Sequence, residues 1–224
     1  MKVLECLLVG VRACLVKERE KGSINVSLAK KLKDLDVKRK KQKQDWVRRP
    51  EVLLCPNVPK PLHGVAPRSV LGNSWWEKTR QAAYKATNYH CLACGIHKSL
   101  ARGKQWLEGH EVYSINYRKG KMIYLETVAL CHYCHNYIHD GRLNSLLDQG
   151  KITHQKFAAI LQHGDTVLAE AGLTRLSHEE RSLLVLRAIK MGRVAPWKKW
   201  RLVLEGKEYP PKFATEKDWK KRYG

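Results

Sequence analysis

Two cysteines and three histidines fall within the nine residues CHYCHNYIH, Cys131–His139. Upstream, CLAC sets Cys91 and Cys94 at the same spacing, with 36 residues between the two pairs. A Cys-x-x-Cys turn offers two thiolates to one ion, and two such turns complete a closed tetrahedral set for a structural zinc. A redox dithiol would need only one pair. The N-terminal MKVLECLLVGVRACLV is interrupted by Glu5 and Arg12. It reads as the start of a folded strand or helix rather than a signal or a spanning segment. The expected setting is therefore cytoplasmic, where thiols stay reduced and metal binding outranks disulfides. Cys6, Cys14 and Cys55 then read as small hydrophobes.

His135 and His139 are four residues apart, on one face of any helix that carries them. A third imidazole, His110, lies in LEGHE, near the end of an expected strand that a hairpin would carry back over that helix. Three neutral imidazoles suit a divalent transition metal with coordination positions left open. Gly109 allows a bend or a close approach there. His90, His97 and His132 are spare histidines, read as surface or supporting groups rather than ligands.

The elements that must position these groups follow from pattern. KQWLEGHEVYSINY and KMIYLETVAL read as strands joined by the turn RKGK. CHYCHNYIHDG reads as a short helix closed by Gly141, giving strand, strand, helix between cysteine pairs. Before them, Ser74 and Glu77 suggest a capping box opening a helix that runs to Cys91. After them come helices over Asn144–Gln149 and Thr153–Ala171, the latter breaking near Gly164. A third, Ser177–Met191, carries a Ser177/Glu180 capping box and the apolar residues Leu183, Leu184, Leu186 and Ile189. WRLVLEGKEY suggests a hairpin turning at Gly206, and TEKDWKKRYG a basic terminal helix. Trp197, Trp200 and Trp219 read as packing anchors.

The order CLAC, LEGHEVY, LETVALCHYCHNYIH resembles the HNH endonucleases, closest to phage-type members with a zinc-stapled ββα-metal finger. The resemblance covers about residues 75 to 142. It implies a mainly helical α+β chain around a small zinc-stapled finger that hydrolyses DNA phosphodiester bonds to leave 5′-phosphate ends. It implies structural zinc on Cys91, Cys94, Cys131 and Cys134, and a catalytic Mg²⁺, Mn²⁺ or other divalent cation. Carried over by position, His110 is a metal ligand, Glu111 stands where the family has its base histidine, and His135 and His139 are helix ligands. Glu126 replaces the usual bracing asparagine. A second assignment makes His110 the base, with His135 and His139 holding metal and Glu108 or Glu111 assisting.

The chain of 224 residues carries 43 Lys and Arg against 21 Asp and Glu, net +22. Such an excess favours a polyanionic partner, expected to be double-stranded DNA and not a membrane. Ten of these cations and three aspartates lie between Lys30 and Arg49, on a helical pattern carrying Leu28, Leu32, Leu35 and Val37. Lys98, Arg102, Lys104, Arg118, Lys119, Lys121 and Arg142 flank the metal residues as expected phosphate contacts. Three regions are expected: a basic region with linker over 1–70, the nuclease domain over 71–142, and a basic helical region over 143–224 suited to self-association or a protein partner. The competing functional class is a zinc-stapled nucleic-acid-binding protein, or a nuclease subunit of an assembly, without cleavage of its own.

Overall fold

The computed structural model describes residues 46–223. Trp46 onward forms one compact unit. The segment expected to be a basic helix around Leu28–Val37, with Cys6 and Cys14, lies outside the described residues.

Two short 3-10 turns, Pro50–Leu54 and Lys60–Leu62, lead into helix α1, Pro67–Ala86. Helix α1 begins earlier than Ser74 because Pro67 presets the first turn and the Ser69 hydroxyl accepts the Ala66 N–H at 2.9 Å. The chain kinks at Gly72, where φ is +85°, so the stretch from Ser74 is the second of two helical runs. Glu77 is engaged by Arg80, at 2.8 Å from its Nε, rather than by a reciprocal cap.

Strands β1, Leu107–Asn116, and β2, Lys121–Cys131, pair antiparallel and run into helix α2, His132–Ile138. The helix does not close at Gly141. His139 bends the backbone and helix α3, Asp140–Asp148, continues at once. Helix α4, His154–Glu170, is capped by the Thr153 hydroxyl on Lys156 N. It passes Gly164 unbroken, because the bare glycine face receives the ring of Tyr137. Helix α5, His178–Lys190, opens with the expected capping box. Strands β3, Arg201–Leu204, and β4, Lys207–Tyr209, form the expected hairpin, and helix α6, Glu216–Tyr223, ends the described chain.

The result is a mixed α+β fold with one four-stranded sheet, ordered β1-β2-β3-β4. Strand β3 joins β2 in parallel, Lys121–Ile123 against Arg201–Val203. Expected boundaries near 70 and 142 fall inside the compact unit, and the packing explains why. Val52 and Leu53 from the first turn, Leu130 and Ile138 from the strand–helix segment, and Ile160 and Leu168 from α4 share one core. A second core joins Leu62, Met122, Trp200 and Leu202 under the parallel pair. Trp200 is 2% exposed and donates its indole N–H to Ala195 O at 3.1 Å. Trp197 and Trp219 likewise donate, to Phe213 O and His63 Nδ1, so all three are anchors.

Candidate metal centres

The first centre is built by two turns. Gly95 N donates to Cys91 O at 2.9 Å, and Cys91 N to Ile96 O at 2.9 Å, folding CLACG into a knuckle. Gly95 sits at φ +77° with the Arg48 side chain against it, a conformation that L side chains rarely adopt. Leu92 N donates to Ala129 O at 2.8 Å, tying the knuckle to β2. On the other side, Cys131 precedes α2, and its sulfur accepts from Cys134 N. The four sulfurs of Cys91, Cys94, Cys131 and Cys134 all lie within 4.8 Å of one another.

Their electrostatics fit a cation. Burial pushes the Cys91 thiol up, but hydrogen bonds from Cys131, Cys134 and Cys94 outweigh it and hold Cys91 well below the usual thiol range. The same charge weighs on its neighbours: Cys134 is driven up by its hydrogen bonds to Cys131, Cys91 and Cys94. One thiolate thus suppresses the next, a conflict that a divalent ion at the centre removes. His163 on α4 brings Nε2 to 3.4 Å from Cys134 Sγ. Supporting contacts of this kind tune a metal site. His163 lies 29 residues beyond Cys134, and no local spacing announces it.

The second centre gathers His110, His135 and His139, one ring nitrogen of each within 4.8 Å of the others. Ring centroids are 5.5 Å apart for His110–His135, 5.0 Å for His110–His139 and 4.7 Å for His135–His139. His110 is the fourth residue of β1, opposite Val128, so it stands near the start of its strand rather than the end. Its side chain is 5% exposed. Gly109 beside it lies under α1, where an added Cβ would stand 3.1 Å from the Trp76 ring.

Burial, then the charges of His139 and His135, lower His110 to about 2. Burial, then His135 and Arg142, lower His139 to about 4. Both rings are therefore neutral donors at neutral pH. His110 Nδ1 and His135 Nδ1 are buried without a hydrogen-bond partner, a costly state for polar atoms. His135 Nδ1 does lie 2.6 Å from Glu108 Oε2, a charge contact without hydrogen-bond alignment. The other carboxylate oxygen, Oε1, meets His132 Nδ1 at 2.7 Å. Burial pushes Glu108 up, yet its contacts with His132 and His135 prevail and hold it far below the usual carboxylate range. The three-imidazole donor set, the neutrality of His110 and His139, and the orphaned His110 Nδ1 fit a divalent transition metal.

A cavity of about 250 Å³ opens beside the trio, lined by His110, Glu111 and His139 but not by His135. Neighbours on a strand normally face apart. Strand β1 lies at the sheet edge, and a bulge between Val112 and Tyr113 locally breaks the regular pleat just after this pair. Burial pushes the Glu111 carboxyl up, while Arg68 on α1 draws it back. Glu126 is elsewhere, pairing with Arg49 at 2.6 Å.

The expected phosphate contacts divide. Arg142 is close enough to depress His139, and Lys104 reaches Glu108 at 3.9 Å. Lys98 sits over the Tyr89 ring at 4.2 Å, and Arg102 borders the thiol centre. Exposed Arg118 and Lys119 occupy the hairpin turn, and Lys121 pairs with Glu208. Arg118 and Lys119 lie beyond Asn116 and Lys121 opposite it, and Asn116 is six residues from His110, about 20 Å along a strand. These three cations do not join the site. Among the spare histidines, His90 and His97 face each other at 4.9 Å between ring centroids and belong to neither ligand group. Cys55 is a free, half-buried thiol.

Comparison of the chain with protein-family models, curated proteins and solved structures finds no match.

Proposed function

We propose that this chain is a metal-dependent endonuclease of the HNH type, hydrolysing DNA phosphodiester bonds. The observation that carries the reading is the meeting of His110, His135 and His139 within 4.8 Å of one another, at a cavity that His110 and His139 line, in a chain that also gathers four thiols able to hold structural zinc. A protein that only binds nucleic acid has no need of the trio. When bound there, Mg²⁺, Mn²⁺ or another divalent cation would supply electrostatic stabilisation of the phosphorane-like charge and of the leaving 3′ oxygen.

The remaining work falls to this chain's own groups. The three imidazoles fix the cation position, with His110 as ligand rather than base, because its ring lies within the trio. Glu108 orients His135 and, through His132, the start of α2. Glu111, raised by burial and open to the same cavity, accepts the proton of the attacking water. Arg142, near His139, and Arg68, near Glu111, supply positive charge for the phosphate. The overall charge of +22 provides the long-range attraction to DNA.

The test is cleavage of supercoiled DNA with Mg²⁺, Mn²⁺ or Ni²⁺ by the native chain, His110→Ala and His135→Ala. Cutting should drop at least about 100-fold in both variants. Equal cutting by all three would reveal a contaminant. DNA binding without cutting under every metal would favour the purely binding alternative.

A further inference from the structure

Helix α5 stands apart from both cores. Arg181 points inward, bonding Leu176 O at 2.6 Å and pairing with Asp140, and Ala188 on the same side is half-buried. The opposite face carries Glu179, Leu183, Leu186 and Lys190, at spacings of four, three and four, and all four are exposed. Leu183 is 56% and Leu186 54% exposed, with Ile189 beside them at 52%. Four-three spacing is the seam of paired helices. Leu184 and Val185 are exposed too, at 52% and 43%, around the rest of the helix; scattered exposed leucines need no explanation, but so much open apolar surface on one short helix, with charged ends, does.

The ends carry opposite signs. Glu179 is in the first turn and Lys190 in the last. We infer that this face is where a second copy of the chain docks, through antiparallel pairing of α5 about a twofold axis between Leu184 and Val185. In that register Leu183 meets the partner copy's position 186, and Glu179 meets its position 190. The contact is isologous, so each layer occurs twice. A parallel pair would set glutamate against glutamate and lysine against lysine, which opposes it. One helix pair is a small interface, so the dimer is a micromolar one.

Sedimentation of the full chain, freed of nucleic acid and followed up to about 200 µM, decides the matter. The expected result is a monomer–dimer equilibrium. Leu183→Glu should weaken it on the order of 100-fold, since two leucine layers are lost at once, with circular dichroism unchanged. Lys190→Glu should weaken it less, and adding Glu179→Lys to that variant should restore it. The charge-swap pair touches only exposed side chains, so it reports even if Leu183→Glu misfolds. A chain that stays monomeric throughout, a dimer indifferent to Leu183→Glu, or a failure of the swapped pair to recover would each overturn the proposal.

Discussion

Glu108 holds two histidines at once, His132 by hydrogen bond and His135 by charge contact. Its replacement by glutamine keeps the shape and removes the charge that orients the His135 ring. Loss of such a supporting carboxylate typically costs 10- to 100-fold in metal affinity, so Glu108→Gln should weaken Mn²⁺ binding by about that factor in titration calorimetry. An unchanged affinity would show the carboxylate to be a bystander. The depressed His110 and His139 make a second expectation. Free imidazoles near 6.5 would compete for protons as pH falls from 7 to 5. Rings lowered to about 2 and about 4 are already unprotonated across that window. The Mn²⁺ affinity of the trio should therefore fall by no more than about tenfold per pH unit there, where three ordinary imidazoles would approach a thousandfold. At this scale the sequence was informative: residue type and the i, i+4 spacing pointed to both donor sets. Glu108's grip on His132 and His163's on Cys134 were hidden, because they depend on distances across 24 and 29 residues that no local pattern encodes.

Helix α2 is seven residues long, too short to persist on its own propensity, and its neighbours explain its survival. Cys131 caps its start, while Arg175 donates to Tyr137 O at 2.6 Å and Ile138 O at 3.3 Å at its end. The same guanidinium lies over the Tyr137 ring at 4.5 Å. Tyr137 in turn bonds Asp165 at 2.6 Å and presses on Gly164. A Cβ at position 164 would stand 2.1 Å from that ring, so Gly164→Ala must displace Tyr137. The expected loss is about 1–3 kcal/mol in denaturant unfolding, against the gain a helical glycine-to-alanine change normally brings. A stabilised variant would mean that α4 does not seat on α2 as described. Strands and helices were legible from alternation, capping residues and terminal glycines. The starts of α1 and α3 were not, since Pro67 and the bend at His139 override the apolar pattern. The unbroken passage through Gly164 was also invisible, because a close approach and a helix break leave the same glycine in the sequence.

Over the whole described unit, the thiol cluster joins pieces that are distant along the chain. Cys91 and Leu130 share their core with Val52 before them and Leu168 after them. Removing the expected zinc, by chelation or by Cys91→Ser, should therefore abolish one cooperative unfolding transition for the unit rather than loosen a local loop. Thermal scans of the unit with and without zinc check this; an unaltered midpoint would sink it. The domain division read from composition followed charge and linkers, whereas the fold follows shared burial. For that reason the pairing of β2 with β3 could not be foreseen: parallel neighbours are set by packing from a distance, and Met122 needs Trp200 and Leu202 to be covered.

That parallel pairing has a consequence for synthesis. The partner strand of Lys121–Ile123 is Arg201–Val203, so while the ribosome is still decoding α4 and α5 the far end of the hairpin has an open border and uncovered Met122. The imidazole pocket can gather early, yet the sheet that steadies it is completed only when the final tenth or so of the described chain has emerged. Nascent chains stalled before Trp200 should accordingly be protease-sensitive at the β1–β2 turn, so the finished sheet waits on the last strands to be translated.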